Sequence, residues 1–263
     1  MIIDCVLFFE ELELLELRFS ILDPYVDKFM VIEASQTFQG QEKPLIFQRN
    51  AGRFTRFWDK IIHVPVRDMP DSNCTWDREH HQRNAISRGI YKSWPSDTII
   101  MMSDTDEIPD MELWVHGPKE IPTTWSHNFY YYYVDLQIDV PITGTVATTL
   151  ADFQGRLQSN GQLLRECRHD HRHVLRGGWH FSYLGGAERI QRKIRAFAHN
   201  ELLSHSNTAN IEHSIMERWK SGVDLFNRNL YKFRPVDDVS TLPKYLVDNR
   251  DKYPQFWLPR TAL

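Results

Sequence analysis

The sequence predicts an α/β protein with a mainly parallel sheet flanked by helices on both faces. Short apolar runs alternate with segments of helical period through the first 109 residues, the pattern of successive βαβ units. The run Asp97 to Met102 switches abruptly into Ser103-Asp104-Thr105-Asp106-Glu107-Ile108-Pro109. That places three carboxylates at the carboxyl end of a strand, where open α/β sheets bind ligands. At 263 residues, 41% hydrophobic and 13% aromatic, the chain is long enough to bury a substantial core.

Taken in order, Ile2 to Phe9 is apolar and rich in β-formers, a first strand. A helix follows from Glu10 to Leu22, with Leu12, Leu15, Phe19 and Leu22 as its stripe and Glu10, Glu11 and Glu13 at its positive end. Asp23-Pro24 ends it. Val26 to Ala34 is the second strand, with Glu33 near its carboxyl end, and Ile61 to Val66 the third. Pro44 to Gln48 is short and ambiguous. Asp77 to Trp94 reads as a helix capped by Asp77, with Ile86, Ile90 and Trp94 inward and Glu79 four residues from Arg83. The strand ending at the acidic run follows, stopped by Pro109.

Beyond Pro109 the texture changes. Asn128 to Gln137, with tyrosines from Tyr130 to Tyr133, reads as strand, and residues 141 to 178 as loop-rich. Gly178 to Leu184 is a further strand, ending in Gly185-Gly186. Helices are expected from Ala187 to Ala198 and from Ile211 to Ser221, and an irregular, proline-rich tail from 235 to 259.

A net charge of −4, from 31 basic and 35 acidic residues, excludes a general nucleic-acid binder. No apolar run reaches the length of a membrane span and no signal peptide precedes the first strand, so the expectation is a soluble, cytoplasmic protein. Cys5, Cys74 and Cys167 are too few and too scattered for a disulfide framework or a zinc site.

In an extended segment Asp104 and Asp106 point to one side. Two bare carboxylates 4 Å apart repel by ~4 kcal/mol at an effective dielectric near 20. A divalent cation removes that repulsion, and oxygen ligands suit Mg²⁺ or Mn²⁺. The same residues also serve as an acidic turn after a strand. Further on, Arg165, Arg168, His169, Asp170, His171, Arg172 and His173 form a cluster that reads as a metal or phosphate site or, more simply, as a solvated turn. A metal-dependent phosphodiesterase is a second reading of the carboxylates, though it needs more of them to hold two cations. A non-catalytic carbohydrate-binding protein is a third, suggested by eight Trp and ten Tyr.

Several stretches, in this order, resemble family 17 glycosyltransferases, the group that includes the β-1,4-mannosyl-glycoprotein N-acetylglucosaminyltransferase making bisecting GlcNAc. They are Asp4 to Arg18, Val31-Ile32-Glu33-Ala34-Ser35, Gln82-Arg83-Asn84, Asp104 to Pro109, Gly178-Trp179-His180-Phe181-Ser182 and Pro243-Lys244-Tyr245-Leu246. The resemblance implies a GT-A-like, Rossmann-like fold, a UDP-GlcNAc donor, a glycan acceptor, Mn²⁺ (or Mg²⁺) and inversion at the anomeric carbon. It implies one domain over 1–263, with a nucleotide-sugar half to 109, an acceptor and catalytic half over 110–234 and a wrapping tail over 235–263. The animal enzymes carry an N-terminal membrane anchor, whereas this chain opens on its first strand, so the expectation is either a trimmed form or a soluble microbial or viral-type member.

On that reading Asp106, helped by Asp104, holds the cation against the donor diphosphate. Phe9 and Glu33 lie near the uridine, Arg83 pairs with phosphate and Asn84 hydrogen-bonds the donor. Glu188, at a helix start after Gly185-Gly186, is the expected general base, with Glu107 as runner-up. His199 and His180 are the candidates for a further metal ligand, His199 slightly favoured.

Overall fold

The computed structural model describes residues 1–117, 120–170, 172–196, 217–218, 224–226 and 232–259. It opens with β1 (Ile2–Phe8), α1 (Leu12–Leu22), β2 (Lys28–Ala34), α2 (Ile46–Arg49), β3 (Ile61–Val66), α3 (Thr75–Asn84) and β4 (Ile99–Asp104). The short β5 (Glu107–Ile108) and α4 (Met111–His116) lead to β6 (Thr123–Tyr131) and β7 (Leu136–Thr149). Then come α5 (Leu150–Gln154), α6 (Gly161–Glu166), β8 (Val174–Ser182), α7 (Ala187–Ala196), β9 (Phe233–Pro235) and α8 (Lys244–Asp248). Among the described residues the strands form one sheet in the order β3-β2-β1-β4-β7-β6-β8-β5, with β9 also on β7. The class is α/β as expected, but the sheet is mixed. β3, β2, β1 and β4 run parallel, as do β6 and β8, while β7 is antiparallel to β4, β6 and β9.

Alternation along the strands builds the two faces. Val6 and Phe8 of β1 and Met101 of β4 pack with Leu14, Leu15 and Phe19 of α1. Ile3 and Cys5, with Ile100 and Met102, pack on the other face with Ile86 and with Leu164 of α6. Asp4 and Ser103 therefore point toward α1, and there Arg18 meets them. Its guanidinium donates to Asp4 Oδ2 at 2.8 Å, Asp4 Oδ1 at 2.6 Å and Ser103 Oγ at 2.6 Å, and also to the Glu107 carbonyl. Arg18 and Asp4 are fully buried. Sequence reading passed over both, because nothing local marks a buried pair. Arg18→Met is expected to cost about 3–5 kcal/mol in urea unfolding, since it leaves Asp4 an uncompensated buried charge. A cost under about 1 kcal/mol, the level of an exposed pair, would show that Asp4 finds another partner.

The expectations fail where long-range packing overrides local pattern. The helix expected over 77–94 runs only from Thr75 to Asn84 and tightens into a 3₁₀ turn over Ala85–Gly89. A side chain at Gly89 would meet Met30 Cε at 2.7 Å and Val64 Cγ2 at 2.9 Å, so here the chain lies directly on β2 and β3. Cys74, not Asp77, stands at the N-cap, and the Asp77 carboxylate accepts from Ser72 Oγ. The strand expected over 128–137 is two strands, parted at Tyr132, whose φ of 69° is left-handed. Residues 141–178, expected as loops, carry most of β7, then α5, α6 and the start of β8. Pro141 hides β7 in the sequence. It sits where pairing with β6 is interrupted, between Ile138 and Ile142, so no ladder bond needs its missing N–H. Pro109 does not stop the strand either: β4 ends at Asp104, the chain turns through Thr105 and Asp106, and β5 resumes at Glu107. In the tail, Leu242, Leu246, Tyr253, Phe256 and Trp257 join the core on the α1 face. The helix expected over 211–221 lies almost wholly outside the described residues.

Candidate active site

The β1, β2 and β4 carboxyl ends open onto a cavity of about 400 Å³, a volume typical of small-molecule sites. Phe9, Phe38 and Lys43 line one side, and Arg83, Asp104 and Asp106 its floor. His180, Ser182 and Lys193 close the far side.

The turn at Thr105–Asp106 overturns the same-face expectation for the two aspartates. Asp104 keeps the facing of Ile100 and Met102 and points to α3 and α6. Its Oδ2 lies 2.9 Å from Arg165 Nη2, and its Oδ1 3.6 Å from Arg83 Nη2. Asp106, past the turn, points to α7, with Oδ2 2.7 Å from Lys193 Nζ. The turn is pinned by Thr105 Oγ1, which donates to the Leu7 carbonyl at 2.7 Å.

Glu107 is buried beneath the pair. Arg165 grips it with two bonds of 2.6 Å and also donates to the Gly144 carbonyl at 2.9 Å. Burial on its own would raise the Glu107 pKa, but the Arg165 guanidinium overrides it and holds the carboxyl well below its usual range. Glu107 is thereby a poor proton acceptor. Gly144 is obligatory here, because a Cβ would stand 2.6 Å from His127 Cδ2 and 2.9 Å from Glu107 Cδ. His127 accepts from the Thr145 amide through Nε2 at 3.1 Å, and burial pushes its pKa down to about 3, so it is neutral.

His180 reaches the same place from β8. Its Nε2 is 3.9 Å from Asp106 Oδ1 and 2.8 Å from Ser182 Oγ, and its Nδ1 is 3.8 Å from Glu107 Oε1. That Nδ1 is buried without a hydrogen-bond partner. The other sequence candidates fall differently. Phe9 lines the cavity, with Lys43 Nζ 5.6 Å from its ring centroid. Arg83 lines it too, while bound to Glu79 at 2.6 Å and Gln162 at 2.5 Å. Asn84 turns away and accepts from the Gln162 amide at 2.9 Å. Glu33 is fully buried, accepts from the Phe47 amide at 2.8 Å and does not line the cavity. The Glu188 side chain is 86% exposed, pairs with Arg192 at 3.2 Å and is absent from the lining. His199 lies outside the described residues.

Two cations were missed. Arg165 belongs to the basic cluster read as a solvated turn, and α6 instead buries it to 2% exposure while His169 and Arg172 stay in solvent. Lys193 gave no signal beyond its place on an amphipathic helix.

Among the described residues no three His, Cys, Asp or Glu side chains converge as a ready-made metal cage. A small octahedral cation does not need one, because it keeps waters and takes substrate phosphates beside one or two carboxylates. Asp104, 40% exposed at the cavity, Asp106 and His180, whose Nε2 lies 3.9 Å from Asp106 Oδ1, are oxygen and nitrogen donors of the kind that Mg²⁺ or Mn²⁺ takes.

The family model of glycosyltransferase family 17 matches residues 1–263. No curated protein matches. Among solved structures, the galactosyltransferase LgtC in complex with donor and acceptor sugar analogues is 11% identical, with a TM-score of 0.30, over 49% of this chain and 46% of that one. A structure of an active-site mutant of LgtC gives 12% identity and a TM-score of 0.29, over 49% and 46%. The match thus spans less than half the length of those enzymes.

Proposed function

This chain belongs to glycosyltransferase family 17, and we propose that it transfers a sugar, GlcNAc from UDP-GlcNAc, to a glycan acceptor with inversion and with the help of Mn²⁺ or Mg²⁺. The observation that carries the proposal is the Asp104–Asp106 turn at a strand end, opening onto a cavity that is also lined by five phenylalanines, Phe9 and Phe38 among them, and by the cationic Lys43, Arg83 and Lys193. Phe9 and Phe38 offer the uracil apolar surface, and Arg83 and Lys43 offer the diphosphate charge-assisted hydrogen bonds. Asp106, Asp104 and His180 would hold the cation, which when bound stabilises the negative charge of the departing nucleotide. Phe129, Tyr131 and, from α7, Lys193 and Ala196 complete the wall of the cavity. Inversion also needs a base for the acceptor hydroxyl. Of the two carboxylates offered by the sequence, Glu107 is committed to Arg165 and Glu188 to solvent, so the proposal rests on the donor and its cation.

The Asp106→Asn variant tests it, because it keeps the shape and removes the charge. UDP binding followed by calorimetry is expected to tighten with Mn²⁺ in the wild type and to lose that response in the variant. Mn²⁺-dependent binding that persists in the variant would remove Asp106 from the site. Hydrolysis of UDP-GlcNAc or transfer from it favours this reading, cleavage of a simple phosphodiester favours a phosphodiesterase, and sugar binding without turnover favours a lectin-like protein.

A further inference from the structure

The carboxylate proposed to meet a divalent cation already has a cation of its own. Lys193 Nζ lies 2.7 Å from Asp106 Oδ2 and 3.3 Å from Glu11 Oε1. Its stem crosses the cavity wall, with Nζ 5.8 Å from the centre of the Tyr183 ring. The helix that carries it is fastened along its length to the acidic start of α1. Arg189 meets Glu13 at 2.5 Å and Arg192 meets Glu10 at 2.9 Å. At its far end the Ala196 carbonyl accepts from the Phe38 amide at 3.1 Å. So α7 spans the cavity from the acidic turn to the Phe38 loop, with Ile190 and Ile194 packed inward.

Lysine carries its charge at neutral pH, and here the ammonium sits between the carboxylates of Asp106 and Glu11. An ammonium and a divalent cation repel one another and compete for the same oxygens. Where Mn²⁺ takes Asp106, the ammonium must move. Glu11 keeps it within the cavity, and a nucleotide-sugar brings two phosphates there. A lysine on a flexible four-carbon stem binds phosphate as a point charge.

We propose that Lys193 is the exchangeable counter-ion of the site: it neutralises Asp106 when no donor is bound, and passes to the donor diphosphate when a divalent cation takes Asp106. The proposal rests on the donor and cation assignment above. It adds a diphosphate-binding residue and makes metal and donor binding mutually dependent through α7.

The test uses Lys193→Met and Lys193→Arg with two probes, Mn²⁺ alone and UDP. Mn²⁺ binding without nucleotide, read by electron paramagnetic resonance, is expected to tighten several-fold in Lys193→Met, because the competing charge is gone. UDP binding at saturating Mn²⁺ is expected to weaken about tenfold in the same variant, the worth of one charge-assisted hydrogen bond. Lys193→Arg keeps the charge and is expected to hold both affinities within about threefold of wild type. Unchanged Mn²⁺ affinity in Lys193→Met overturns the competition, and unchanged UDP affinity overturns the transfer to phosphate. Wild-type UDP binding that is indifferent to both Mn²⁺ and Asp106→Asn would instead sink the cation assignment itself, and the exchange with it.

Discussion

Arg165→Met is expected to destabilise the protein by about 3–5 kcal/mol at neutral pH and to leave it without measurable sugar transfer. The guanidinium is 2% exposed and holds Glu107 by two bonds, Asp104 by one and the Gly144 carbonyl by one. Methionine fills much of the volume and supplies no charge, leaving Glu107 buried as an uncompensated anion. A loss of that size is a large part of the ~5–15 kcal/mol that holds a typical domain together.

The pH dependence identifies the cause. In the wild type the Glu107 pKa lies below its unfolded value, so its contribution is present above the unfolded pKa and is lost only as pH falls through the folded one. In Arg165→Met the strongest opposition to burial is gone, and burial raises the Glu107 pKa against the smaller effects of His180 and His127. The folded variant then binds more protons than its unfolded chain, and its stability rises as pH falls from neutral toward the unfolded carboxylate value. Urea midpoints at pH 7 and pH 5 are therefore expected to move closer to wild type on acidification, and the added change Glu107→Gln should recover part of the loss at pH 7. A deficit that is the same at both pH values, and untouched by Glu107→Gln, would assign the effect to lost packing.

Arg165 also marks the limit of what the sequence discloses. β1, β3, α1 and β4 are legible because their apolar periods are local and uninterrupted, and β3 falls on the expected residues 61–66. The acidic turn is legible because the polarity change is abrupt. The meaning of Arg165 is not local. Its neighbours His169, Asp170 and Arg172 are solvated, and only the short helix α6, packed against β4, turns this one side chain inward. The hairpin of β6 and β7 is hidden for a related reason. Tyr132 occupies the left-handed region that glycine or asparagine would advertise, and it is held there by packing against Tyr131 and Phe233. Asp104 and Asp106 were identified by type and position, but their facing depends on a turn that the strand pattern does not reveal.

His180 carries the other large expected effect. Register sets its place: its Cα pairs with Glu107 across β5 and β8 and with Phe129 across β6 and β8. The imidazole stands edge-on to the Phe129 ring, at 5.1 Å, between Asp106 and Glu107. Its Nε2 is the nitrogen nearer Asp106, at 3.9 Å, while its Nδ1 is buried on the Glu107 side without a hydrogen bond, a cost of ~1–3 kcal/mol. If the ring serves the cation, directly or by orienting Asp106, His180→Ala is expected to lower Mn²⁺ affinity in the presence of UDP about 10–100-fold. Its unfolding midpoint should change little, because the substitution also removes the unpartnered nitrogen. A histidine that only packs would behave in the opposite way, with a lowered midpoint and Mn²⁺ affinity intact. His199→Ala runs beside it as the competing candidate. Loss of affinity in His180→Ala alone places the imidazole at the metal, whereas loss in His199→Ala alone moves the role to the segment beyond α7.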